Sequence, residues 1–390
     1  MTFGTMTSGT TTSGTATTLL SALALLGAAT VLAPSPALAG YKVHYLLSDQ
    51  AGADHLDRKL RNAWGMAFQP KNFLWINQNR SGASGIYAGD GSPAGVAVVV
   101  PRPPAPRRPD IDPKFSAPTG IVANTANNFF VSNDPAWPAK FIFAAEDGTI
   151  AAWFEGEGTD ATLEIDNSLN GANCKPKPKV NCQGAVYKGL ALGNSKTHGA
   201  LLYATNFRSG KVEVYDSSYA PVNLGAAAFA DNRIPAGYAP YNIVNLGGQL
   251  YVTYAQQDAA KHDSVSCARC GFVDIFSVDG ALLTRLIPKS GNQKLNAPYG
   301  VAVAGSAFWP DGAVLIGNFG DGKINAYSPA GAWLGVLSDA AKKPIVLQGL
   351  WAILFPGAKG FGDSDPSKLY FTSGPNGEAD GRFGTLAVAP

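Results

Sequence analysis

Only four histidines, four cysteines and three methionines occur among the 390 residues, and charged residues make up 15%. The histidines stand apart, at positions 44, 55, 198 and 262, which disfavours a three-histidine metal centre. Net charge is +2 with lysines and arginines scattered among acids, so the concentrated basic surface that a nucleic-acid partner requires is missing. No serine sits in a G-x-S-x-G setting, because SGASG at Ser81 to Gly85 reads as a hairpin turn. A dinucleotide fingerprint, a phosphate loop and a haem-attachment motif are missing too. Beyond residue 40 there is neither a long amphipathic helical pattern nor an apolar run long enough to cross a bilayer, so no membrane span is expected in the mature chain.

What is present begins with a leader. Residues 1–18 are nearly all Thr, Ser, Gly, Met and Ala, and LLSALALLGAATVLA follows, ending in PSPALAG. Small residues at Ala37 and Ala39 predict cleavage after Ala39, although no Lys or Arg precedes the apolar run as export signals usually have. Residues 1–39 are thus read as a signal peptide and 40–390 as one secreted or periplasmic domain, expected to be a monomer. An oxidising compartment favours two local disulfides, Cys174 with Cys182 and Cys267 with Cys270. A shared four-cysteine metal site is disfavoured, because the first spacing does not suit one.

Glycine (45) and proline (27) are abundant, and they punctuate a recurring phrase. A Pro-Gly-like or Trp-Gly-like step opens a strand of small apolar residues, a larger apolar strand follows, and then a turn and a third strand. The copies begin NAWGMAF, APTGIVAN, VYKGLALG, YAPYNIVN, NAPYGVAVAG and GLWAILF. Turns such as Asp147-Gly148, Ser209-Gly210 and Asp321-Gly322 precede third strands, as tight hairpins require. Six units whose small sheets must bury their faces against neighbours predict an all-β fold, a six-bladed β-propeller. The lone strand YKVHYLLSD at 41–49 is expected to pair as the outer strand of the last blade and close the ring. A seventh blade from Pro93 to Lys114 is the competing count.

The segments FIFAAEDGTIAAWF, LLYATNFRSGKVEVYD, IPAGYAPYNIVNLGGQLYVTYAQQD and LIGNFGDGKINAYSP resemble a family of uncharacterised exported bacterial proteins, itself similar to NHL-type six-bladed propellers. The resemblance runs from about Leu60 to about Thr385 and implies architecture and export rather than an activity. Where that family carries an acid, a spacer, His and Gly near its end, this chain has Glu378-Ala379-Asp380-Gly381.

Loops that enter the inner strands of a propeller gather at one channel mouth. Asn62, Trp64, Tyr241, Asn242, Asn296 and Trp351 are therefore candidate ligand-binding residues, with amides to hydrogen-bond and rings to stack on a glycan or small polar ligand. Oxygen-bearing residues after the middle strands, among them Asn79, Glu146, Asn206, Gln257, Asp258, Asn318, Asp321 and Glu378, could hold calcium. In QQDAAKHDSV, Asp258, His262 and Asp263 could bind zinc or serve as base and orienter. Glu146, Asp258, His262, Asp263 and Glu378 are thus the candidate metal ligands, and His262, Asp263 and Glu146 the candidate catalytic residues. The leading expectation is a binding or interaction scaffold for a glycan, protein or small polar ligand. The alternative is a metal-dependent lyase or hydrolase acting at the channel mouth, with calcium or zinc as possible cofactor.

Overall fold

The computed structural model describes residues 40–104, 110–112, 114–169, 184–287, 294–309, 312–357 and 360–389. The expected signal peptide and the Cys174–Cys182 pair lie outside these residues. Six sheets, antiparallel except for the short pairing of Leu47–Ser48 with His55–Leu56, follow one another along the chain, and the inner strand of each packs on the inner strand of the next. Those inner strands are Ala63–Phe68, Pro118–Ala123, Tyr187–Ser195, Tyr238–Leu246, Pro298–Ala304 and Leu350–Leu354, which define blades 1 to 6. The inner strands of blades 6 and 1 also touch, so the arrangement is a six-bladed propeller.

The middle strands are mostly buried, and Leu74–Gln78, Ala313–Asn318 and Leu369–Ser373 are buried along their whole length. Neighbouring blades cover both faces of each sheet, which explains why the sequence alternates so weakly there. Apolar clusters fill the seams between blades: Trp75 with Phe141 and Phe143 between blades 1 and 2, Leu315 with Ile353 and Phe371 between blades 5 and 6. The described residues of 93–114 add no blade, and Val98–Val99 pairs with Ala83–Tyr87 as the fourth strand of blade 1. Gly148, Gly210 and Gly322 take φ of +87°, +72° and +67°, the left-handed turns their hairpins need.

Tyr41–Ser48 pairs antiparallel with Arg382–Val388, from Tyr41 opposite Val388 to Ser48 opposite Arg382. Blade 6 is therefore built from two segments far apart in the chain, 41–56 and 350–388. The Tyr41 ring packs 4.9 Å from that of Phe308, and its hydroxyl donates to the Phe308 carbonyl at 2.8 Å, fastening the seam with blade 5.

Candidate functional site

Every inner strand has a register irregularity near its start: between Ala63 and Met66, Pro118 and Ile121, Tyr187 and Leu190, Pro240 and Asn242, Pro298 and Gly300, and Leu350 and Ile353. A bulge re-aims the side chain it carries. At the same place in each repeat stand Trp64, Thr119, Lys188, Tyr241, Tyr299 and Trp351. Middle-strand threonines brace the irregularities: Thr205 Oγ1 accepts from Gly189 N, Thr253 Oγ1 from Asn242 N, and Thr372 Oγ1 from Ala352 N. Except after Tyr241, where Asn242 stands, a small residue follows and permits close blade contact; a Cβ on Gly65 would lie 2.3 Å from the Thr119 carbonyl oxygen.

Four of the six residues form a buried aromatic plug. Trp64 stacks on Trp351 at 3.4 Å between centroids, Trp351 meets Tyr299 edge-on at 5.1 Å, and Tyr299 meets Tyr241 edge-on at 5.4 Å. Phe319 and Phe207 extend the stack through Trp351 and Tyr241. At the other end of the channel lies an apolar funnel of about 340 Å³ formed by all six inner strands, Met66, Phe68, Val122, Leu192, Val244 and Leu354 among them.

Lys188 is the exception in this column of rings. It is 1% exposed, and its Nζ donates to Glu146 Oε1 and, at 3.3 Å, to Asp263 Oδ1. The ammonium also lies 5.2 Å from the Trp64 ring centre and 5.8 Å from that of Phe207, within cation–π range. Burial works against its charge, but Glu146 and then Asp263 outweigh burial and hold the pKa above that of an ordinary lysine.

Amides extend this centre. Asn79 Nδ2 donates to Glu146 Oε2 at 3.1 Å, and Asn62 Nδ2 donates to Asn79 Oδ1 at 3.1 Å and to Glu378 Oε2 at 2.8 Å. Asn62 Oδ1 accepts from Trp351 Nε1 at 2.8 Å. Burial, reinforced by the Glu146 charge, raises the pKa of Glu378.

His262 and Asp263 arrive on the loop after the middle strand of blade 4. Asp258 Oδ1 accepts from the backbone N–H of His262 at 2.8 Å and of Asp263 at 3.3 Å, so Asp258 shapes the loop from within. Ser264 Oγ, bonded to Tyr241 OH at 3.0 Å, ties the loop to the plug. The expected Cys267–Cys270 disulfide is present, and an N–H···O bond from Ala297 to Cys270 joins this loop to the start of blade 5. His262 Nδ1 lies 2.9 Å from Asp263 Oδ1. Burial lowers the His262 pKa, but the bond to Asp263 and the charges of Glu146 and Asp263 together outweigh it and the net direction is up. Asp263 is pushed up by burial yet held well below the carboxylate range by His262 and Lys188.

The structure thus brings Glu146, His262, Asp263 and Glu378 to one mouth, with Lys188 beneath them. Each of Glu146, His262 and Asp263 offers a ligand atom within 4.8 Å of the others'. Asn62, Trp64, Tyr241 and Trp351 are at most 1% exposed: the three rings pack on one another, Trp351 Nε1 donates to Asn62 Oδ1, and the remaining side-chain hydrogen bonds of Asn62 and Tyr241 go to Asn79, Glu378 and Ser264. Asn242 sits on the blade 4–5 seam, with Nδ2 on the Tyr299 carbonyl, and Asn296 packs against Gly320. Asn206, Gln257, Asn318 and Asp321 are held within their own blades or on the neighbour, through Glu213, the Phe207 carbonyl and the Asn318–Asp321 bond. The other histidines pair with surface carboxylates elsewhere: His44 with Asp54, His55 with Asp90, His198 with Asp279. Lys188 was the residue to single out in the sequence, as a lone cation where the other repeats carry Trp, Tyr or Thr.

No protein-family profile matches the chain. It is similar to two uncharacterised proteins of Acanthamoeba polyphaga mimivirus. R648 is 28% identical over 362 residues, covering 90% of this chain and 82% of that one. R640 is 30% identical over 289 residues, covering 70% of this chain and 51% of that one. Among solved structures, virginiamycin B lyase from Staphylococcus aureus is 12% identical with a TM-score of 0.45, covering 90% of this chain and 100% of the lyase. A gluconolactonase from Xanthomonas campestris is 13% identical with a TM-score of 0.46, covering 85% and 87%. The sequence relatives are thus viral proteins of unstated activity, and at such identities nothing about the enzymes' chemistry transfers.

Proposed function

We propose that this protein binds a small polar molecule at the Lys188 mouth and exchanges a proton with it through His262. The observation that carries this reading is the orientation of one imidazole. Nδ1 is engaged by Asp263, whose other partner is the buried Lys188 ammonium, while Nε2 makes no hydrogen bond among the described residues. An imidazole held at one nitrogen and open at the other has the arrangement of a general base or acid. Converging carboxylates around a desolvated lysine are costly as a stability device, because desolvation offsets much of the Coulomb gain. Such clusters concentrate at functional sites.

In this reading Asp263 orients the imidazole, Lys188 fixes Asp263 and Glu146, and Glu378 presents a second carboxyl whose raised pKa suits proton exchange. The ligand-facing groups are mostly acidic, which favours a hydroxyl-rich or cationic molecule over an anion. The leader at 1–39 supports export, and a mature amino terminus at Gly40, read by mass spectrometry, tests that part.

A thermal-shift screen of metabolites and short glycans, with product detection by mass spectrometry, tests the site. His262→Gln is expected to lower turnover of any substrate found by about 10²–10⁴-fold. A ligand that binds and reacts equally well with the wild type, His262→Gln and Glu378→Gln would refute the assignment.

A further inference from the structure

Glu146, His262 and Asp263 look, by spacing alone, like the protein half of a divalent-cation site. The centre of that group already contains a positive charge. Lys188 Nζ donates to Glu146 Oε1 and Asp263 Oδ1, and Asp263 Oδ1 also faces His262 Nδ1. The ammonium has no route out, since Lys188 is 1% exposed and its nitrogen is backed by Trp64 and Phe207. Tyr299 OH donates to the Lys188 carbonyl at 2.8 Å, which fixes the backbone from which the side chain springs.

A divalent ion would have to share both carboxylates with a like charge that cannot retreat. Calcium would also need six to eight oxygens, whereas Glu146 Oε2 is engaged by Asn79 and Glu378 Oε2 by Asn62. The donor set therefore does not fit a metal while Lys188 is in place. We infer that the Lys188 ammonium is the resident cation of this mouth, occupying the position a divalent ion would take, and that the protein works without a metal there. Lys188 is a positioning residue in this scheme, and it plays that part whether or not the mouth is catalytic.

The test is a titration of the full mature chain with Mn²⁺ and Ca²⁺ by calorimetry, on the wild type and on Lys188→Met, which keeps the stem and deletes the charge. The wild type is expected to bind no tighter than about millimolar, like scattered surface carboxylates, and Lys188→Met about 100-fold more tightly or better. Adding Glu146→Gln to Lys188→Met is expected to abolish the gain. Wild-type binding at about 10 µM or below, lost in Glu146→Gln or Asp263→Asn, would overturn the inference. So would a folded Lys188→Met variant with no gain. If Lys188→Met fails to fold, recovery of its folded circular-dichroism signal on adding Mn²⁺ supports the inference, and the wild-type titration decides the matter where recovery fails.

Discussion

Replacing Asn62 by alanine should be among the more damaging single changes in this protein. Asn62 is fully buried, with φ of +47°, and its side chain links three groups from other parts of the ring. It donates to Asn79 Oδ1 and Glu378 Oε2 and accepts from Trp351 Nε1. Alanine leaves the Trp351 indole N–H without its acceptor in a site where Trp351 is 1% exposed, a penalty of about 1–3 kcal/mol. It also removes a donor from Glu378, which sits beside Glu146, for a further ~1 kcal/mol or more. The left-handed backbone, which asparagine tolerates better than alanine, adds about 1 kcal/mol. The sum is a loss of about 3–5 kcal/mol, read by equilibrium urea unfolding. Asn62→Gly separates the contributions, because glycine relieves the backbone component and should recover about 1 kcal/mol relative to alanine. A loss for Asn62→Ala within about 0.5 kcal/mol of zero, the range of ordinary surface changes, would refute the claim that Asn62 joins the blades. A glycine variant less stable than the alanine one would refute the backbone part.

Two further outcomes test the packing. Gly189→Ala should cost about 1–3 kcal/mol by overpacking, since its Cβ would lie 2.3 Å from Asn242 Oδ1, whereas Gly305→Ala, with nothing within 4 Å, should be near neutral by the same unfolding assay. Asp274 in blade 4 is 0% exposed and paired with Arg285 Nε at 3.2 Å, yet burial pushes its pKa up to about 6. A folded pKa above the unfolded one means its stabilising contribution is complete below about pH 4 and is lost as pH rises through about 6. Asp274→Asn should therefore flatten the fall in stability between those pH values, and an unchanged slope would exclude Asp274 as its source.

The architecture was legible because it repeats. Six variants of one phrase give six inner strands, and Tyr41–Ser48 could be placed because it had no partner within a repeat. The buried ion cluster was only half legible. Glu146 and Glu378 stood out as carboxylates after middle strands, and His262 with Asp263 as an acid–histidine pair on one loop, but Lys188 lies 42 residues from Glu146 and 75 from Asp263. No local pattern reports that these meet. The expected ring of Asn62, Trp64, Tyr241 and Trp351 illustrates the opposite difficulty. Sequence position puts these residues at the mouth, but whether a ring faces solvent or its neighbours depends on strand irregularities, which arise from pairing and leave no mark in composition. Asn62 carries its burial cost because Trp351, Asn79 and Glu378 all reach it, and those partners come from blade 6 and the neighbouring strand.

The way blade 6 is assembled sets an order of events for synthesis. The strand at 41–48 is made long before its hydrogen-bonding partner at 382–388. Until residues 382–388 are available to pair, the ring has two open flanks, one on each side of the gap, with unsatisfied strand edges and exposed seam residues. Completion of the ring therefore waits on the strand at 382–388. Chains that stop short of Arg382 should remain open and sticky, a natural target for proteases and chaperones wherever the protein folds.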